Sequence, residues 1–202
     1  LATKVAIIYN SSDTYSSGIY QTFATEAKAK GLDVVAAEAF TADNKTDFSV
    51  QIQKAKDAGA ELVFLPIYYQ EASLILAQAN KAGFTPKWFG CDGMDGILDL
   101  DGFDASLAED LMFLTPFTAN ATDEATQKFV ADYKEAFGDT PIQFAADAYD
   151  CVYVIKAAAE KEDVTPDKSA SDICDALKKG MTEITYDGLT GKSITWSEDG
   201  EP

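Results

Sequence analysis

Trp88-Phe89-Gly90-Cys91-Asp92-Gly93 joins a short apolar run to a carboxylate, with glycines at positions 90 and 93. The apolar run predicts a buried strand over Trp88–Cys91, so that Asp92 comes directly after the end of the strand. An aspartate in that position either stabilises a turn or faces a ligand beyond the edge of a sheet. The stretch by itself leaves these two interpretations equally open.

Strands and helices alternate on both sides of this stretch. Short apolar runs predict five strands, which are Lys4–Tyr9, Val34–Phe40, Leu62–Ile67, Trp88–Cys91 and Asp110–Phe117. Helical patterns lie between the first four runs and end near glycines. Such alternation with short connections predicts an α/β fold, an open, doubly wound parallel sheet with helices on both faces.

The pattern changes after Phe117, where consecutive helices replace the alternation. These helices are predicted over Asp123–Phe137, Gln143–Lys161 and Asp167–Lys179, the last of them ended by Gly180. We therefore place a boundary between an α/β lobe, residues 1–117, and a mainly helical segment, residues 118–202.

Three candidate ligand residues follow the predicted strands. Tyr15 lies in the loop after strand one, Tyr68 follows strand three, and Asp92 follows strand four. If these three strands are neighbours, two phenols and one carboxylate converge at the carboxyl edge of the sheet, where open α/β sheets bind ligands. Such a carboxylate would pair with a ligand's ammonium group through a charged hydrogen bond of roughly 1.5–3 kcal/mol.

The composition excludes several classes of function. The chain has 16 Lys+Arg against 34 Asp+Glu, a net charge of −18, which argues against binding to nucleic acid or anionic lipid. It contains no histidine, which removes Ser-His-Asp and Cys-His catalysis and histidine metal sites. We expect no enzymatic activity, metal or cofactor.

Two alternatives for the loops carry less weight. Asn10–Gly18 could hold the phosphate of FMN in a flavodoxin-like domain, but it has neither a Gly-Lys-Ser/Thr nor a Gly-x-Gly-x-x-Gly pattern, and a helix-capping loop is favoured. The acidic loop Asp92–Asp104 could bind calcium, but Phe103 takes a ligand position of the calcium-loop pattern counted from Asp99, and a solvated loop is favoured.

The three cysteines, Cys91, Cys151 and Cys174, show no Cys-x-x-Cys spacing. Their odd number favours small buried thiols, with one disulfide as the alternative. The apolar runs are of strand length, so no direct membrane insertion is expected in this segment.

The order of the motifs resembles the type I periplasmic-binding-protein family. It is most similar to the substrate-binding proteins of branched-chain amino-acid ABC transporters, the Leu/Ile/Val-binding group. The resemblance rests on motifs spread over essentially the whole chain, which are Lys4–Asn10, Tyr15–Gly18, Tyr68–Glu71, Trp88–Gly93, Phe144–Asp150 and Tyr186–Gly191.

The resemblance implies a protein whose two lobes close over a ligand. Residues 1–117 look like the second lobe, residues 118–202 look like a hinge crossing and an incomplete return to the first lobe, and both ends look cut from a longer chain. By position, Tyr15, Tyr68, Asp92, Gly93 and Phe144 match ligand residues of the family. Asp92 stands where close relatives often have Glu, which retracts the carboxylate by one methylene.

The expected function is capture of a small amino acid, with a branched-chain one favoured, and its delivery to the membrane subunits of an ABC importer. The expected location is extracytoplasmic, in the periplasm or on a cell-surface lipoprotein. A ligand-sensing receptor ectodomain is the alternative. An exposed cleft or hinge surface would also favour a dimer.

Overall fold

The computed structural model describes residues 2–202, which divide into two compact units. The first unit ends at Thr115 and the second begins at Pro116. The two units are described separately below.

The first unit is built on a five-stranded parallel sheet with the strand order β2-β1-β3-β4-β5. The strands are β1 (Lys4–Asn10), β2 (Asp33–Phe40), β3 (Leu62–Leu65), β4 (Lys87–Gly90) and β5 (Met112–Phe113). The helices are α1 (Thr14–Lys30), α2 (Ser49–Asp57) and α3 (Tyr69–Lys81). The prediction of an α/β fold with an open parallel sheet is therefore confirmed.

The central strands are buried on both faces, which explains their nearly continuous apolar sequences. In β1, Ala6 and Ile8 belong to one apolar cluster, whereas Val5 and Ile7 belong to another. Since successive side chains of a strand point to opposite faces, the two clusters lie on opposite sides of the sheet. The larger one contains residues of α2 and α3, and the smaller one is contacted by side chains of α1.

Two strands are shorter than the sequence predicts. Strand β3 ends at Leu65 because the next residue is Pro66, which has no N–H to donate to a neighbouring strand. The predicted strand Asp110–Phe117 is reduced to Met112–Phe113. Asp110 has a φ of 62°, and this left-handed conformation interrupts an extended chain.

The loop between β4 and β5 contains three short 3₁₀ turns. They span Asp92–Met94, Ile97–Asp99 and Ala105–Ala108. Met94 and Ile97 are buried in the larger apolar cluster, so the loop is anchored to the sheet by its apolar side chains.

The second unit contains α4 (Glu124–Phe137), α5 (Gln143–Lys161) and α6 (Ala170–Glu183). The predicted end of the last helix at Gly180 is wrong, because α6 continues through this glycine to Glu183. A Cβ on Gly180 would lie 2.6 Å from the carbonyl oxygen of Ala158 in α5. The glycine therefore allows two helices to approach closely.

A buried carboxylate holds the loop that follows α6. Asp150 of α5 is 5% exposed. Its Oδ1 accepts a hydrogen bond from Leu189 N at 3.0 Å, and its Oδ2 accepts from Thr190 N and Thr190 Oγ1, each at 2.8 Å. Burial, followed by the Asp150 charge, raises the pKa of Tyr186 to about 12. Asp150 thus fixes the position of the Tyr186–Gly191 motif within this unit.

The prediction of buried cysteines is wrong for two of the three. Cys151 and Cys174 are exposed, Cys91 is half-buried, and all three are free thiols. Cys151 lies on α5, and the odd number of cysteines, on which the prediction rested, does not determine which side of a helix a cysteine occupies.

No helix within residues 2–202 has both the length and the apolar character needed to span a bilayer.

Candidate ligand-binding site

The candidate site lies at the carboxyl edge of the sheet in the first unit. Strands β1, β3 and β4 are adjacent, which is the condition under which the sequence analysis expects convergence, and the segments that follow them start side by side. These segments carry Tyr15, Tyr68 and the pair Asp92 and Gly93. The parallel pairing therefore brings together residues that are far apart in the chain.

Tyr15 is positioned by the capped start of α1. Asp13 is the N-cap residue, and its carboxylate accepts a hydrogen bond from Ser16 N at 2.8 Å. The buried Ser16 hydroxyl in turn accepts from Asn10 N at 2.8 Å. The polar side chains of this loop thus form hydrogen bonds with the backbone around them. This supports the interpretation as a helix-capping loop and not as a phosphate-binding loop.

The Tyr15 hydroxyl connects directly to the segment after β4. It donates a hydrogen bond of 2.8 Å to Asp92 Oδ1 and accepts one of 3.1 Å from Gly93 N. Burial, followed by the hydrogen bond to Asp92, raises the pKa of Tyr15 well above its ordinary value. The phenol therefore stays protonated and keeps its bond to the carboxylate over the whole physiological pH range.

Tyr68 lies beside Tyr15. The two rings are stacked, with their centroids 5.1 Å apart and an interplanar angle of 30°. Tyr68 is 39% exposed, so part of its ring is available for contact with a ligand. A protonated tyrosine pair with one exposed ring offers a flat apolar wall of the kind that binds aliphatic groups.

Gly93 allows these elements to meet. A Cβ at this position would lie 2.7 Å from the carbonyl oxygen of Ile67 and 3.0 Å from the Tyr15 hydroxyl. Any side chain would therefore push apart the segments that follow β3 and β4.

Two further carboxylates surround the site, and the sequence analysis missed both. Burial raises the pKa of Tyr68, and the negative charges of Asp13, Asp92 and Glu71 raise it further. Asp13 caps α1, and Glu71 lies in the first turn of α3, where its carboxylate pairs with Lys45 Nζ at 3.1 Å. Their positions just beyond the ends of β1 and β3 are the signal that could have revealed them. Asp13 and Asp92 give this edge of the sheet negative charge, which favours a cationic group, whereas Lys45 balances the charge of Glu71.

Phe144, the fifth predicted ligand residue, belongs to the second unit. It is half-buried in the first turn of α5. The structure thus brings Tyr15, Tyr68, Asp92 and Gly93 together within the first unit.

The acidic residues of the Asp92–Asp104 loop do not form a metal centre. Within residues 2–202, no group of three or more acidic or cysteine side chains is arranged to hold a metal ion. The Asp104 carboxylate instead accepts hydrogen bonds from Ser106 N and Ser106 Oγ, at 3.1 and 2.7 Å, and so caps a short turn.

The first unit is a parallel α/β lobe with a candidate ligand-binding site at the carboxyl edge of its sheet. The chain belongs to the periplasmic binding protein family, whose family model matches residues 2–202. This match confirms the resemblance that the sequence motifs indicated.

Individual relatives carry more specific names. The chain is 29% identical over 201 residues to Leu/Ile/Val-binding protein homolog 3 of Brucella melitensis, covering 98% of this chain and 51% of the relative. It is 27% identical over 187 residues to the leucine-, isoleucine-, valine-, threonine-, and alanine-binding protein of Pseudomonas aeruginosa, covering 92% and 48%.

A solved structure agrees with these relatives. The branched-chain amino acid transporter substrate-binding protein of Streptococcus pneumoniae, crystallised with isoleucine, matches with a TM-score of 0.78 and 29% identity. The match covers 98% of this chain and 53% of that structure. The chain thus spans about half the length of the relatives that it matches.

Proposed function

We propose that this protein is an extracytoplasmic solute-binding protein that captures a small amino acid, a branched-chain one being favoured, and delivers it to an ABC importer. The observation that carries the proposal is the convergence of Tyr15, Tyr68 and Asp92 at one edge of the sheet. Family membership and the names of the relatives support the same function.

In this proposal, Asp92 binds the ammonium group of the ligand. A charged hydrogen bond in a partly dry cleft contributes roughly 1.5–3 kcal/mol. The neighbouring carboxylate of Asp13 adds to the negative potential that attracts a cationic group, whereas Lys45 balances the charge of Glu71. The exposed part of the Tyr68 ring contacts the aliphatic side chain, and Gly93 lets the segments that carry Asp92 and Tyr68 lie close together.

The lobes are assigned in the same proposal. Residues 1–117 form one lobe, and residues 118–202 begin the return to the other lobe, whose Phe144 reaches the ligand. Closure of the two lobes over the amino acid then forms the surface that the membrane subunits of the importer recognise. The protein binds and releases its ligand without chemical change.

A thermal-shift screen of the twenty amino acids tests the ligand class, followed by calorimetric titration of those that stabilise the protein. The natural polypeptide that contains these 202 residues is the protein to use. We expect leucine, isoleucine or valine to raise the unfolding temperature most. Failure of all twenty amino acids to bind would contradict the proposal.

Asp92→Ala tests the residue that carries the proposal. We expect amino-acid affinity to fall at least tenfold, since the ammonium group loses its charged partner. Asp101→Ala is the matched control, because it removes the same charge from an exposed position in the same loop. Equal losses in the two variants would mean that general electrostatic attraction, not a specific contact, accounts for binding.

Transport distinguishes an importer component from the ectodomain of a receptor, which would use the same site. Deletion of the gene should abolish high-affinity uptake of the radiolabelled amino acid, and expression of the wild-type protein should restore it. Unchanged uptake together with tight binding would favour the receptor.

A further inference from the structure

The Tyr15 hydroxyl has a fixed set of partners, which determines what it can do in the site. A phenol has one proton to donate and lone pairs to accept. In this structure the proton is donated to Asp92 Oδ1 at 2.8 Å, and the oxygen accepts from Gly93 N at 3.1 Å. A hydrogen bond from this hydroxyl to a ligand would therefore require release of the Asp92 carboxylate.

The surroundings hold Tyr15 in this arrangement. Its ring stacks on Tyr68 with centroids 5.1 Å apart, and its backbone belongs to the first turn of α1, which is capped by Asp13. Burial and the bond to Asp92 raise the pKa of the phenol, so the proton that makes the bond is not lost at neutral pH. Tyr15 is thus a rigid, protonated donor aimed at one oxygen of Asp92.

Asp92 needs such support because its own segment is a short turn. It begins the 3₁₀ turn Asp92–Met94, which offers weaker backbone support than an α-helix. The hydrogen bond from Tyr15 joins Asp92 to α1, because Tyr15 lies in that helix, 77 positions earlier in the chain. The carboxylate and the backbone of Gly93 are both held by the same hydroxyl.

We propose that Tyr15 is a positioning residue that acts through Asp92. Its hydroxyl holds the Asp92 carboxylate in the orientation that receives a ligand's ammonium group, and it donates no hydrogen bond to the ligand itself. This inference rests on the proposed function, and it changes the role of Tyr15 from a ligand wall to the support of the charged partner. Tyr68 then supplies the exposed wall alone.

A double-mutant cycle tests the proposal. Calorimetric affinities are measured for the wild-type polypeptide, Tyr15→Phe, Asp92→Ala and the double variant. The probe is L-leucine, or whichever of the twenty amino acids binds most tightly. Each variant is also titrated with the analogue of that amino acid that keeps the carboxylate but lacks the α-ammonium group. We expect Tyr15→Phe to weaken amino-acid binding about tenfold in the wild-type background and by less than about twofold once Asp92 is alanine.

The analogue without the ammonium group adds a readout that a general loss of structure would not produce. Its affinity should be nearly the same for the wild-type polypeptide and Tyr15→Phe, because it does not use the Asp92 carboxylate. Tyr20→Phe, the same substitution elsewhere on α1, should leave both affinities unchanged. Thermal unfolding of each variant checks that it is folded at the temperature of the titration.

The outcomes separate the two proposals. Equal losses from Tyr15→Phe with and without Asp92 would show that the hydroxyl contacts the ligand independently, and would overturn the positioning role alone. No loss in either background would also overturn it. If the wild-type polypeptide binds none of the twenty amino acids, the proposed function fails, and the positioning role fails with it.

Discussion

Gly93 lies so close to Ile67 that a methyl group on its Cα would come within 2.7 Å of the Ile67 carbonyl oxygen. The two residues belong to segments that follow neighbouring strands, β4 and β3. Their contact sets the distance between Asp92 and Tyr68, the charged and the aromatic parts of the candidate site.

Gly93→Ala should therefore disturb the site more than its small size suggests. The added methyl meets a backbone carbonyl, which cannot rotate away, and the Tyr15 hydroxyl at 3.0 Å. We expect the free energy of unfolding to fall by roughly 1–3 kcal/mol, as for overpacked cores, and amino-acid affinity to fall at least tenfold. Urea unfolding and calorimetry measure the two effects.

Gly18→Ala is the control for this substitution. Gly18 lies inside α1, and a Cβ there would meet no atom within 4 Å. Alanine is the better helix former by about 1 kcal/mol, so the control should be as stable as the wild type or more so. Equal destabilisation by both substitutions would contradict the steric argument for Gly93.

Asp150→Asn should loosen the loop of the second unit. Whichever oxygen is replaced by the amide nitrogen, that nitrogen faces a backbone N–H donor, either Leu189 N at the Oδ1 position or Thr190 N at the Oδ2 position. We expect a loss of about 2–3 kcal/mol in the free energy of unfolding. Amide hydrogen exchange should also become faster at Leu189 and Thr190.

Asp175→Asn is the matched control for Asp150, since Asp175 is exposed on α6. The free energy of unfolding of the Asp175→Asn variant should differ from that of the wild type by less than about 0.5 kcal/mol. If Asp150→Asn leaves the exchange of Leu189 and Thr190 unchanged, the buried carboxylate does not hold this loop.

Gly180→Ala tests the close approach of α5 and α6. Alanine favours a helix by about 1 kcal/mol, but its methyl would lie 2.6 Å from the Ala158 carbonyl oxygen. We expect the steric cost to prevail, with a net loss of about 1–2 kcal/mol in urea unfolding. Stabilisation, as expected for Gly18→Ala, would show that the helices can separate without cost.

Cys91 should react with iodoacetamide much more slowly than Cys174. Burial, followed by the Asp92 charge, raises the pKa of the Cys91 thiol from 9.0 to about 11, whereas Cys174 is exposed on α6. Because the thiolate is the reactive form, little Cys91 should be alkylated at pH 8. Mass spectrometry of tryptic peptides over a time course measures both rates, and comparable rates at pH 8 would contradict the burial of Cys91.

The same pKa shift has a consequence for stability. The folded state favours the protonated Cys91 thiol. The contribution of this thiol to the free energy of unfolding is therefore fully present below about pH 9 and is lost as the pH rises through about 11. Cys91→Ser removes the thiol, and the difference in stability between the variant and the wild type should shrink over this pH range.

Much of the first unit could be predicted from local patterns. Alternating apolar runs and glycine-ended helices predicted the parallel sheet, because a strand buried on both faces requires a continuous apolar sequence. Position after a strand predicted Tyr15, Tyr68 and Asp92 as neighbours, since the ends of adjacent parallel strands meet at one edge. In the second unit, helix α5 was predicted with the bounds that the structure shows, Gln143–Lys161.

Other features depend on contacts between distant residues and had no local signal. Gly180 has the sequence context of a helix end, yet it lies inside α6 because Ala158 of another helix packs against it. The exposure of Cys151 likewise depends on which side of α5 its neighbours cover.

The sequence by itself determined the fold class, the family and the residue types available at the sheet edge, because these follow from periodicity and from the order of motifs. Only the tertiary structure decided which of those residues contact one another. The Tyr15 hydroxyl bonds to Asp92 and Gly93 because two separate segments, which follow β1 and β4, meet within hydrogen-bonding distance. No property of any one segment specifies that distance.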